Sequence, residues 1–141
     1  MRFRVLGRVE FLDDAEWRRI AAAKWRALLA VLLVERDRVV SNDRIAAELW
    51  GERQPKTVDN QIYGYVARLR RLLGAELLVT QSPGYRLHVA SADTDAGQFA
   101  VLADRGRAAL RAGDVEAAAR TWTRLSGCGA AIRTRTCRCR R

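Results

Sequence analysis

With 141 residues, 49% hydrophobic and 30% charged, the chain is long enough to bury one core and too mixed in character to be disordered. The 26 Lys and Arg exceed the 16 Asp and Glu by ten, but residues 126–141 alone hold five arginines and no acid, so residues 1–125 carry only +5. Bulk basicity is therefore no argument for a nucleic-acid partner; the placement of the charge has to be.

Residues 2–21 come in short alternating bursts, RFRVL, RVEFL and EWRRI, with Gly7 and Asp13-Asp14 as turns. They predict a small antiparallel sheet with Phe3, Val5, Val9, Phe11, Trp17 and Arg19 on one side. Charges interrupt the apolar residues at every second or third position, so no secretory leader is expected. The period then changes. In AAAKWRALLAVLLVERD (21–37), Trp25, Leu28, Leu29, Leu32 and Leu33 form a helical stripe. Its apolar run, ALLAVLLV, falls well short of the ~18 residues of a membrane span, so no membrane partner is expected and the chain reads as cytoplasmic. RVVS (38–41) is short and β-branched. Ser41, Asn42 and Asp43 then offer N-caps for a helix holding Ile45, Ala46, Leu49 and Trp50, which stops at Gly51.

A loop, ERQP, leads to KTVDNQIYGYVARLRRLLG (56–74). Val58, Ile62, Tyr65, Val66, Leu69, Leu72 and Leu73 recur at steps of three and four, which predicts a helix over 56–73 with one buried face, closed by Gly74. The other positions, from Asn60 to Arg71, contain no acid after Asp59. An ordinary surface helix mixes its charges and pairs acids with bases. At ~1.5 Å per residue this helix is about 26 Å long, enough to lie in a DNA groove and still anchor in a core. LLVTQ (77–81) and YRLHV (85–89) flank Ser82-Pro83-Gly84 and predict a β-hairpin.

ASADTD (90–95) reads as a linker. Two helices follow, the first ended by Gly113 and the second capped by Asp114, with Phe99, Leu102, Leu110, Val115, Trp122 and Leu125 packing between them. Enzymatic chemistry finds no footing: there is no phosphate loop, no HExxH, and the single histidine, His88, reads as structural. Cys137 and Cys139 in C-R-C supply too few ligands for a metal, so no metal or cofactor is expected.

Three helices followed by a hairpin, the third helix basic on its free side, is the order of a winged helix-turn-helix. The fold class is α+β: a winged helix-turn-helix with an N-terminal antiparallel sheet and a C-terminal β-hairpin wing, followed by a short α-helical hairpin. The divisions fall at 1–90, 91–125 and a basic tail at 126–141. The extra sheet would brace the first helix, or serve as a surface for a second subunit or for polymerase.

AKWRALLAVLLVERDRVVSNDRIAAELWG, TVDNQIYGYVARLRRLLG and LLVTQSPGYRL, in that order, closely resemble the DNA-binding domain of the antibiotic regulatory protein (SARP) family of actinobacterial activators. Those domains are similar in fold to the winged helix of OmpR/PhoB-type response regulators. The resemblance covers about residues 1–90, and the hairpin at 95–125 resembles the start of the bacterial transcriptional activator domain that follows in this family. It implies an activator, of secondary-metabolite genes, that binds direct repeats of double-stranded DNA as a homodimer and contacts RNA polymerase. Carried over, Gln61, Gly64, Tyr65 and Arg68 fall at base-reading positions, and Arg70 and Arg71 at phosphate positions. In the wing, Gln81 stands where many relatives carry arginine, which weakens the implied minor-groove contact, and Gln81, Ser82 and Arg86 are the expected phosphate partners. Lys24, Arg53 and Lys56 complete the expected phosphate contacts.

Past Trp122 the family continues with further helices, whereas SGCGAAIRTRTCRCRR shows no apolar periodicity. It reads as an out-of-frame end to a truncated activator domain, or as a basic arm adding nonspecific DNA affinity. Two alternatives stand beside the main reading: a nonspecific nucleic-acid binder driven by that tail, and a protein-interaction module whose DNA-binding domain is degenerate.

Overall fold

A computed structural model describes residues 2–128; the expectations for the rest of the basic tail and its C-R-C pair, and for the Leu125 side chain, fall outside the described residues. Strands β1 (Phe3–Arg4), β2 (Glu10–Asp13) and β3 (Glu16–Arg19) form an antiparallel sheet in chain order. Phe3 lies opposite Phe11, and both are buried. Asp14 and Ala15, at φ 44° and 68°, make the β2–β3 turn with two positive φ angles, the geometry that suits the twist of a tight hairpin. Trp17 departs from the sequence reading. It pairs with Leu12, one residue away from Phe11, so the pleat turns it and Arg19 to the opposite side from Phe3 and Phe11. On that side the Arg4 guanidinium lies 3.8 Å from the Trp17 ring centroid.

Helix α1 (Ala23–Val34) buries Leu28, Leu29, Leu32 and Leu33, as its stripe requires. Strand β4 (Val39–Ser41) leads into α2 (Asn42–Trp50), where the Ser41 hydroxyl accepts from the Arg44 amide at 3.2 Å. Helix α3 (Val58–Leu73) buries Ile62, Val66, Leu69 and Leu73. Strands β5 (Leu78–Gln81) and β6 (Gly84–Leu87) follow, and β4 pairs with β6, so the wing is the end of a three-stranded sheet in the order β4-β6-β5. A lone hairpin is marginal in water; the third strand and the core beneath make this one firm. A Cβ at Gly84 would run into the Val40 carbonyl, so glycine is what lets β4 and β6 close there. One core joins Phe3, Phe11 and Ile20 to the leucines of α1, to Ile45 and Leu49, to the buried edge of α3, and to Leu78, Leu87 and Val89.

Residues 90–95 are not a loose linker. Ser91–Asp93 form a 3-10 turn, and Thr94, 1% exposed, bridges to Phe3 and caps α4 (Asp95–Arg111) by accepting from the Gly97 amide at 3.0 Å. The Asp95 carboxylate reaches back to accept from the amides of Val5 at 2.8 Å and Leu6 at 3.1 Å, which fastens α4 to the N-terminal sheet. Helix α5 (Val115–Cys128) starts after Gly113, with Asp114 accepting from the Ala117 amide at 2.8 Å.

The packing of α4 on α5 also corrects the expectation. Ala103, Gly106 and Ala118 are the buried residues, whereas Phe99, Leu110, Val115 and Trp122 are all exposed and only Leu102 is half-buried. Small residues bring the two backbones close. A Cβ on Gly106 would stand 3.5 Å from Thr121 Cγ2 and 3.6 Å from Trp122 Nε1, so the larger side chains are left at the rim. No described helix is long and apolar enough to cross a membrane.

Candidate nucleic-acid interface

At roughly 100° per residue, the buried edge of α3 leaves an outward line through Asn60, Gly64, Ala67 and Arg71. Asn60 and Arg71 are exposed, and Gly64 and Ala67 are half-buried. The flank toward α1 carries Gln61 and Arg68. The flank toward the wing carries Tyr63 and Arg70. Asp59, the one acid of α3, is held by the Asn42 amide at 3.1 Å. Leu72 leaves the stripe assigned to it: it is 43% exposed and lies with Trp25, Arg68 and Arg71 around a shallow depression. Three residues on from buried Leu69 stop about 60° short of a full turn, which carries Leu72 outward.

The two flanks differ in what holds them. The Arg68 guanidinium lies 4.9 Å from the Trp25 ring centroid, with its side chain exposed. Gln61 Oε1 accepts from the Tyr65 hydroxyl at 3.3 Å, and the Tyr65 ring stacks on Trp50 with centroids 6.0 Å apart. Arg70 is committed elsewhere. Its Nε–H donates to the Leu78 carbonyl at 2.7 Å and its Nη2 to Thr80 Oγ1 at 2.8 Å, with Cζ 5.9 Å from the Tyr85 ring. It ties the helix to the wing, and a phosphate would have to compete for it. Burial holds the Tyr85 phenol above its ordinary pKa, and the Arg70 charge opposes that shift.

The remaining expected phosphate residues divide in the same way. Arg53, Lys56 and Arg71 are exposed, and Gln81 and Ser82 stand at the exposed tip of the wing. Lys24 donates to the Leu49 carbonyl near the end of α2 and sits 5.0 Å over the Trp50 ring, so its charge serves a helix C-terminus. Arg86 lies on β6 between Val39 and Val79, with Nε enclosed and unpartnered among the described residues. Two residues that the sequence reading left out of the candidate site stand exposed on the same helix: Tyr63, 65% exposed, and Asn60. Their signal was present, since both fall off the buried stripe in the same projection.

Gly64 bears on what approaches this face. Its backbone is helical and a Cβ there would meet nothing within 4 Å, so neither strain nor packing demands glycine. Mid-helix glycine costs about 0.5–1 kcal/mol relative to alanine. A bare backbone on the outermost line is useful where another surface comes close. Gly64→Ala is expected to raise stability by about 0.5–1 kcal/mol while weakening duplex binding, read by denaturant melts and DNA titrations. A stabilised variant with unaltered binding would take Gly64 out of the interface.

Residues 21–87, from just before α1 to the end of β6, match the family described as transcriptional regulatory protein, C terminal. The chain is 34% identical over 124 residues to the transcriptional regulatory protein EmbR of Mycobacterium tuberculosis, which covers 84% of this chain and 32% of EmbR. It is 34% identical over 116 residues to the regulatory protein AfsR of Streptomyces coelicolor, covering 82% of this chain and 12% of AfsR. Against the transcriptional regulator RedD of the same organism the identity is 30% over 116 residues, covering 77% of this chain and 33% of RedD. The solved structure of M. tuberculosis EmbR in complex with low affinity phosphopeptide is similar at TM-score 0.85 and 32% identity, over 90% of this chain and 35% of that one. The chain thus spans about a third or less of these relatives' own length.

Proposed function

The chain belongs to the SARP family of transcriptional regulators with an OmpR/PhoB-type domain, and from that premise we propose that it reads operator DNA by laying α3 in the major groove. The family makes it a DNA-binding transcription regulator and not an enzyme. The observation that carries the finer reading is the outward side of α3: acid-free beyond Asp59, bare at Gly64, flanked by Gln61 and Arg68, and set beside the wing.

Gln61 matches the adenine edge, and Arg68 the O6 and N7 of guanine. Arg71, Arg53 and Lys56, with Gln81 and Ser82 at the wing tip, grip phosphates and set the register. Arg70 acts mainly by holding the wing to α3, and Lys24 and Arg86 are secondary. Residues 1–90 form the reading domain and 91–125 the start of an activator domain. The protein acts in the cytoplasm as a homodimer on direct repeats, contacting RNA polymerase to activate secondary-metabolite genes.

The test is selection of bound sites from random duplexes with the full chain, followed by titration of variants. Arg68→Ala is expected to cost about 1–3 kcal/mol on the selected site and to relax preference at one position. Arg71→Ala should weaken all duplexes about equally and lower the salt slope by about one. Equal losses on selected and random DNA from both variants would refute the base-reading roles.

A further inference from the structure

We infer that Tyr65 and Trp25 are positioning residues that preset the two base-reading side chains, Tyr65 for Gln61 and Trp25 for Arg68; the inference rests on the major-groove reading above. A long polar side chain loses rotamer freedom when it docks on a base edge, and holding it beforehand lowers that cost. It also fixes which edge of the side chain is offered.

At Gln61 the Tyr65 hydroxyl donates to Oε1 at 3.3 Å. That bond restrains the amide, with Oε1 turned to the hydroxyl. An amide oxygen has two acceptor sites, so one remains for the adenine amino group while Nε2 donates to N7. Tyr65 is itself held. Its ring stacks on Trp50 at 6.0 Å, and the Lys24 ammonium lies 5.0 Å over that same Trp50 while bonding the Leu49 carbonyl. A chain of contacts therefore runs from α1 through the end of α2 to the edge of α3. Its last atom is a base-reading oxygen.

At Arg68 the hold comes from the opposite kind of group. The guanidinium lies 4.9 Å from the Trp25 ring centroid. Contact through the ring face leaves the in-plane N–H donors unspent, and those donors are what guanine O6 and N7 require. Trp25 is half-buried on α1, so its ring is anchored while one side meets the reading edge.

The experiment uses the 141-residue chain, the duplex it selects from random DNA, and single-base variants of that duplex. Tyr65→Phe keeps the ring against Trp50 and removes only the hydroxyl; Trp25→Leu removes the ring, and Trp25→Phe restores a smaller one. The readout is the affinity ratio between the selected duplex and a variant at one position, which partial unfolding leaves unmoved. Tyr65→Phe is expected to cut the ratio about three- to tenfold at the position relaxed by Gln61→Ala, and not at the Arg68 position. Trp25→Leu should do the reverse, with Trp25→Phe recovering part of the loss. Unchanged ratios in Tyr65→Phe and Trp25→Leu, with both ratios lost in Gln61→Ala and Arg68→Ala, would overturn the positioning roles and leave base reading standing. If Gln61→Ala and Arg68→Ala themselves left the ratios unmoved, base reading would fall, and positioning with it.

Discussion

Leu69→Ala is expected to lower folding stability by about 2–5 kcal/mol, read as a fall in the denaturant midpoint with little change in slope. Leu69 is 0% exposed at the centre of the buried edge of α3, so truncation leaves a cavity beneath that helix. A domain of this size holds roughly 5–15 kcal/mol in all, so the variant spends much of its time unfolded under mild stress. The control is three residues away. Leu72, 43% exposed, should cost within about 0.5–1 kcal/mol when cut to alanine. The pair measures the rotation of α3 about its own axis. Equal costs at the two leucines would mean that the helix is turned differently, and that Arg68 is not held out to a groove.

That pair also marks how far the sequence could be read. The period of three and four in 56–74 was enough to find α3 and its buried side, because Ile62, Val66, Leu69 and Leu73 keep strictly to it. Leu72 kept to the composition of the stripe but not to its angle. Arg70 and Arg71 are neighbours of one residue type; the helical period sets them about 100° apart but does not say which is bonded away. What does is the distance from Arg70 to the Leu78 carbonyl and Thr80, set by how the wing folds back. The third strand of the wing was similarly hidden. RVVS has β-branched character, but its pairing of Val39 with Arg86 joins segments far apart in the chain.

Residue type misled in three further places. Trp17 follows Leu12 in the pleat and not Phe11, a difference of one residue in register that flips an entire strand. Ser91, Asp93, Thr94 and Asp95 looked like a linker because the residues that cap helices are the residues that populate loops. In the helical hairpin the eye goes to Phe99, Leu110 and Trp122, yet contact is made by Ala103, Gly106 and Ala118. Large side chains advertise burial in a sequence, while close approach of two backbones depends on small ones. The positions of Gln61 and Arg68 off the buried stripe of α3 could be read from the period, but the aromatic rings beside them come from α1 and from the next turn of α3.

Asp95→Ala is expected to cost about 2–4 kcal/mol, with the loss concentrated where the hairpin meets the N-terminal sheet. One carboxylate accepts from the Val5, Leu6 and Ala96 amides, so truncation strands two donors of the segment that follows β1 and removes a charge favourable to the start of α4. Amide exchange should quicken at Val5, Leu6 and along α4, while α3 keeps its protection. Duplex binding should persist, because Asp95 touches none of the residues on the outward side of α3. Asp95→Asn keeps one carbonyl oxygen and should lose about half as much. A uniform fall in protection, α3 included, would mean that the sheet, the winged unit and the hairpin open together, and a division at residue 90 would then have no energetic meaning. Local loss with binding retained would make the Asp95 carboxylate the joint through which the hairpin can move without disturbing α3.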